Sequence, residues 1–193
     1  MGQVDDAVRL AERFVGGLGR RWVHVQAVAA RTVELALVLR PEDQAVVVAA
    51  AWLHDIGYAP DLIKSGLHPL DGAAYLAELG EFDPVVVQLV AHHTGAYIEA
   101  EERGLAQKLS RFPRPRAEML DVLTAADVLT GPDGRPLAPE ERIQEILSRY
   151  PVDDPVHRAI TRSGPSLVRT ANDVLARLAD VRAREVGKPV GDA

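Results

Sequence analysis

The stretch AVVVAAAWL, Ala45 to Leu53, contains no charged side chain and runs straight into His54-Asp55. No other feature limits the fold of this chain as strongly. Pro41 follows Arg40 and suits a first helical position. The spacing therefore predicts a strongly buried helix over Pro41 to Asp55, with Val46, Val47, Ala50 and Leu53 inward. A helix apolar on most sides has to be enclosed by other elements. The run is far too short to span a bilayer, which takes about 20 apolar residues. Such a helix should also avoid adjacent titratable groups, because unpaired buried charge is expensive. His54-Asp55 is thus either the polar end of an ordinary helix or a pair that holds something.

Helical patterns continue on both sides. VDDAVRLAERFVGGL starts acidic and stops at Gly16-Gly17, and residues 20–39 put His24, Val28, Leu35 and Val38 on one face. Gly57 to Gly66 is expected to be a loop, and Leu67 to Gly80 a helix with Leu70, Ala73, Ala74 and Ala77 inward. Asp83-Pro84 is an N-cap followed by a first-turn proline, opening a helix through His93. One or two short helices are expected over 97–110, then the proline-punctuated connector FPRPR. Ala117 to Leu129, Pro139 to Tyr150 and Pro155 to Arg184 complete the helices, with GPDGRPLAP as a loop. Both VVV triplets, 46–48 and 85–87, sit inside helical periodicities rather than strand alternation. The expected fold is all-α, a single-domain helical bundle over 1–186, with a motif core at 20–131 and C-terminal helices at 139–184. GKPVGDA, 187–193, is expected to be a flexible tail.

Composition removes several kinds of chemistry. With no cysteine, disulfides, thiolate zinc sites and a cysteine nucleophile are excluded, and any metal must be held by nitrogen and oxygen. The net charge of −6 and the lack of a Lys/Arg block argue against duplex nucleic acid and an anionic membrane surface as partners. MGQVDDAVRL has no charged-then-apolar leader pattern, so a cytoplasmic protein is the expectation. Glycine-rich phosphate loops, a serine elbow and a Walker lysine are missing.

Five histidine positions and two aspartates then fall into a pattern. His24 lies on an apolar face, His54-Asp55 close one helix, His68 opens the next, and His92-His93 close another. Asp127 shares a face with Leu120 and Leu123. Singly, each has a plain structural reading: a core histidine, a helix-start residue, a C-terminal pair on the helix dipole, a turn-capping aspartate. All are also hard or borderline metal ligands, and helices of a bundle can converge them. Adjacent helical residues diverge by about 100°, so His54 and Asp55 would straddle one ion or face two. Two divalent ions roughly 3.5–4 Å apart can activate a water and clamp a phosphate oxygen. His157 falls outside the pattern, and the acidic run EAEERG is expected to be a solvated face.

In this order, His24, His54-Asp55, His68, His92-His93 and Asp127 resemble the HD-domain superfamily of metal-dependent phosphohydrolases, in its binuclear form. RRWVH, AAWLHDIGY, LHPLDGAAYL, VAHHTGA and LTAADVLTG are similar to the bacterial HD hydrolases acting on diadenosine tetraphosphate. Tyr58 stands where cyclic-dinucleotide phosphodiesterases of this type carry lysine, and the Glu-Asp pair of alarmone hydrolases is missing. The resemblance implies one or two divalent transition-metal ions (iron, manganese, zinc, cobalt or nickel) held by His24, His54, Asp55, His68, His92 or His93, and Asp127. It further implies a small phosphorylated substrate, a nucleotide foremost, with Asp55 bridging the ions and Arg21 neutralising phosphate. Tyr58 and Lys64 are expected at the site mouth. In so acidic a chain the metals are expected to be the only large source of positive charge. Two alternatives are a metal-containing nucleotide-binding or regulatory module without turnover, and a di-iron oxygenase of the HD type.

Overall fold

In the computed structural model, residues 2–186 are described and form ten α-helices. These are α1 (Gln3–Val15), α2 (Arg20–Leu35), α3 (Pro41–Leu53), α4 (His68–Leu79) and α5 (Pro84–His92), then α6 (Ala96–Glu102), α7 (Ala106–Leu109), α8 (Ala117–Val128), α9 (Pro139–Arg149) and α10 (Pro155–Val186). Short 3-10 turns follow α2, α3 and α5. No strand forms among the described residues, apart from an isolated bridge between Thr130 and Pro136. The fold is the all-α, single-domain bundle that the periodicity implies. The tail expected over 187–193 lies outside the described residues.

α3 is the axis of the bundle. Ala49, Ala50, Ala51 and Leu53 are all buried, so this half of the helix reaches the surface only along the partly buried Val48 and Trp52. Small side chains let α1, α2, α5 and α8 close around it. Its N-terminal turn stays wet, with Ala45 exposed and Val46 half-buried. Fully burying a leucine or valine contributes roughly 1.5–3 kcal/mol. The enclosed end carrying Val47 and Leu53 therefore fixes where His54 stands.

Elsewhere the boundaries follow local chemistry. The Asp83 carboxylate caps α5 by accepting from Val85 N–H at 2.7 Å. On α4 the inward stripe is Leu70, Ala73 and Leu76, while the alanine expected inward at Ala77 is exposed. Glu101 and Glu102 of the acidic run do more than meet solvent: they pair with Arg162 and Arg158, tying α6 to α10. His157 bonds the Tyr150 carbonyl through Nδ1 at 3.0 Å and stays a structural residue of the α9–α10 connection.

The turn Ile56–Tyr58 lies directly on the first turns of α4. A Cβ on Gly57 would sit 2.0 Å from the His68 carbonyl oxygen and 2.7 Å from the Gly72 nitrogen. The reciprocal Cβ on Gly72 would lie 3.0 Å from Ile56 Cγ2. Two glycines thus let backbone touch backbone, which sets the separation between His54-Asp55 and His68. Gly57→Ala should force these segments apart and lower stability by about 2 kcal/mol or more. Thermal melting of wild type and variant checks this; an unchanged melting temperature would contradict the close approach.

Candidate metal centre

The adjacent pair is explained by where α3 stops. His54 is its C-cap residue, and its Nδ1 lies 2.7 Å from the Ala51 carbonyl oxygen, one of the acceptors a helix end leaves free. A carbonyl only accepts, so Nδ1 carries the proton and Nε2 presents a lone pair. Asp55 leaves the helical path at φ −99°, ψ 9°, and its carboxylate lies between the imidazoles of His54 and His68.

Two more histidines are set in the same manner. His24 Nδ1 lies 3.0 Å from the Gly131 carbonyl, and His93 Nδ1 lies 2.8 Å from that of Val90. Main-chain carbonyls therefore select one tautomer in all three rings and aim Nε2 inward. The Gly131 carbonyl is presented by the GPDG turn, which folds back through Gly131 N–H to Arg135 O at 2.7 Å. His68 is the first residue of α4, and the loop before it is pinned by buried Asp71. That carboxylate accepts from the N–H groups of Lys64, Ser65 and Gly66 at 2.9–3.2 Å.

These side chains converge as two groups, His24–His54–Asp127 and Asp55–His68–His93, with the ligand atoms of each within 4.8 Å of one another. The groups touch: Asp55 Oδ1 is 3.2 Å from His68 Nε2, while its Oδ2 is 3.4 Å from His54 Nε2 and 3.9 Å from His24 Nε2. His24 Nε2 faces Asp127 Oδ1 at 3.1 Å. A lone pair opposite a carboxylate oxygen is a contact between two acceptors, favourable only with a proton or a metal cation between them. His54 Nε2 is buried and has no hydrogen-bond partner, which a native interior rarely tolerates. The donor set thus fits divalent cations: each group offers three nitrogen or oxygen ligands and is positioned to coordinate one such ion.

Electrostatics support the same picture. Burial opposes ionisation of Asp55 and Asp127. Even so, His54 and Arg21 beside Asp55, and His24 beside Asp127, hold both carboxyls well below the usual range. Burial also disfavours charge on His54, yet the Asp55 and Asp127 carboxylates raise its pKa. His93 behaves oppositely: burial and the neighbouring His54 and His68 push it down to about 3, keeping it neutral.

Of the adjacent His92 and His93, only His93 enters a group. Their side chains diverge, and His92 Nε2 turns to the Phe112 carbonyl at 2.8 Å, linking the end of α5 to the proline connector. Lys64 also departs from expectation: its main-chain N–H serves Asp71, while its exposed ammonium lies 4.0 Å from Glu78 and away from the cleft. Tyr58 does line the cleft. Its ring stacks on His68 at 4.1 Å and sits 3.9 Å from the Arg21 guanidinium carbon. Arg21 in turn donates to Asp55 Oδ2 at 2.6 Å.

Several site residues carried no recognised sequence signal. Thr94 adopts φ +46°, unusual for a β-branched residue, and its hydroxyl donates to Asp127 Oδ2 at 2.5 Å while its N–H reaches Thr124 Oγ1. α9 contributes Arg142 and Arg149, and α10 adds Val156 and Ile160 to the cleft wall. Metals are therefore not the only large source of positive charge near the site. The detectable signal is that Arg142, Ile146 and Arg149 share one helical stripe, placing arginine on the buried face of α9.

The HD-domain family model matches residues 21–150, a stretch that contains both ligand groups. The chain belongs to the HD-domain family. Neither the curated proteins nor the solved structures contain a match to it.

The raised pKa of His54 means that protons compete with cations for its Nε2 at a higher pH than for a free imidazole. On acidification from pH 8 the His24–His54–Asp127 group should lose cation affinity, and Asp127→Asn should weaken its binding already at pH 8. Equilibrium dialysis across pH 8 to 5 checks both; cation binding independent of pH would contradict the competition.

Proposed function

We propose that this protein is a metal-dependent phosphohydrolase that cleaves a phosphoester or phosphoanhydride of a nucleotide or small phosphorylated metabolite. The observation that carries this reading is the set of inward lone pairs of His24 and His54, facing the carboxylates, and of His93, facing His68, beside a cleft rimmed by arginine. His24, His54 and Asp127 would hold one ion, and Asp55, His68 and His93 the other. Asp55 directs one oxygen towards each group, the disposition a bridging carboxylate needs. A divalent ion held there supplies positive charge to a phosphoryl oxygen and makes water a competent nucleophile near neutral pH.

The chain's own residues then have distinct tasks. Arg21, fixed between Asp55 and the face of Tyr58, offers a planar cation to phosphate oxygens. Burial and the Asp55 charge raise the Tyr58 pKa, so its phenol stays protonated beside the cleft. Thr94 holds Asp127 through its hydroxyl, and Asp127 in turn faces His24. Ile146, Val156 and Ile160 give the opposite wall an apolar surface suited to the non-phosphate part of a substrate. The similarity of RRWVH, AAWLHDIGY and LTAADVLTG to diadenosine tetraphosphate hydrolases favours a nucleotide for that part.

His54→Ala and Asp55→Asn should each reduce bound metal and lower phosphate release by about a hundredfold or more. The check is metal analysis of protein purified without chelator, joined to a release assay across nucleotides, dinucleoside polyphosphates and cyclic dinucleotides. Retention of both metal and turnover in the two variants would refute the reading.

A further inference from the structure

Beside the two ligand groups lies a recess lined by Arg20 and Arg21 of α2, Arg142 and Arg149 of α9, His24 and Pro132. No carboxylate lines it among the described residues. The chain has a net charge of −6, so four guanidinia at one place run against its bulk composition. Arg21, Arg142 and Arg149 also line the cleft containing Asp55, His68 and His93, so recess and cleft share a wall.

The internal partners of these arginines leave them under-used. Glu145 alone serves two, taking Arg142 Nη1 at 2.5 Å and Arg149 Nε at 2.8 Å. Arg21 has Asp55, a carboxylate the proposed function gives to cations. Arg142 is the informative member: its side chain is 7% exposed, its nearest site carboxylate is Asp127 at 3.8 Å, and its buried Nε has no hydrogen-bond partner. Buried donors are ordinarily satisfied, and the planar guanidinium fork matches phosphate oxygens in pairs. Glu145 acts as a positioning residue that holds the two α9 forks side by side.

We propose that this arginine recess binds a second anionic group of the substrate, next to the one facing the ligand groups. The protein would then select substrates with two or more successive phosphates over a lone phosphomonoester. The idea rests on the phosphohydrolase reading for its location but concerns binding by this chain's own arginines.

The test compares methylenediphosphonate, which carries two linked phosphonates and no bridging oxygen to cleave, with methylphosphonate. Titration calorimetry on metal-loaded protein should find the diphosphonate bound about tenfold tighter or more. Arg149→Ala should remove most of that advantage, with a much smaller effect on methylphosphonate. Metal chelation by the diphosphonate is common to wild type and variant, so their difference reports the arginine. Arg142→Lys, which keeps the charge but loses the fork, should act in the same direction; if it fails to fold, the partly exposed Arg149 decides. Equal affinity for the two probes, or Arg149→Ala leaving the diphosphonate unaffected, would overturn the proposal. Absence of phosphate release from every substrate, with the probe difference intact, would instead overturn the hydrolase reading and leave the recess standing.

Discussion

Everything at the centre of this bundle depends on acceptors made to face acceptors. Three main-chain carbonyls, those of Ala51, Val90 and Gly131, each take the Nδ1 proton of a buried histidine. The lone pairs left on Nε2 point at Asp55, at Asp127 and, for His93, at Nε2 of His68. In a medium of low dielectric such an arrangement is unfavourable without positive charge. The fold supplies rigidity enough to keep it, because Ala49, Ala50, Ala51 and Leu53 are buried just before His54 and two glycines lock the next turn onto α4.

Positive charge comes to this region from two directions. Cations suit the floor of the cleft, where nitrogen and oxygen ligands converge from α2, α8 and the helix ends around α3, α4 and α5. Arginines supply the rim, from α2 on one side and α9 on the other. The rim sits on a chain that is acidic as a whole, which concentrates attraction for anions at one opening. Tyr58 connects the two, since its ring contacts both His68 on the floor and Arg21 on the rim.

Much of this was legible in the amino-acid sequence, for identifiable reasons. The central helix declared itself because an apolar run ending in His54-Asp55 has few places to go. His24, His68 and Asp127 stood out because titratable groups on apolar faces are costly unless they are used. The choice between His92 and His93 was not legible, since it turns on which ring the Phe112 carbonyl captures. The place of Lys64 was not legible either, since its main-chain N–H bonds Asp71 while its ammonium stays in solvent near Glu78. α9 resembles a solvated amphipathic helix, and the one hint that Arg142 occupies its buried face is the stripe it shares with Ile146. Carbonyl groups that orient imidazoles, such as that of Gly131, carry no side-chain signature at all.

The His24 ring has a consequence for how this molecule comes into being. Its two nitrogens face Gly131 and Asp127, 107 and 103 positions further along the chain. A ribosome that has passed His93 has produced every imidazole of the pocket but neither of those partners. Because distant contacts form only after loop closure has been achieved, the His24–His54–Asp127 group assembles only once the second half of the chain has emerged and docked. Maturation of the centre is thereby coupled to completion of the bundle, and a truncated translation product would lack the oxygen atoms that orient its first histidine.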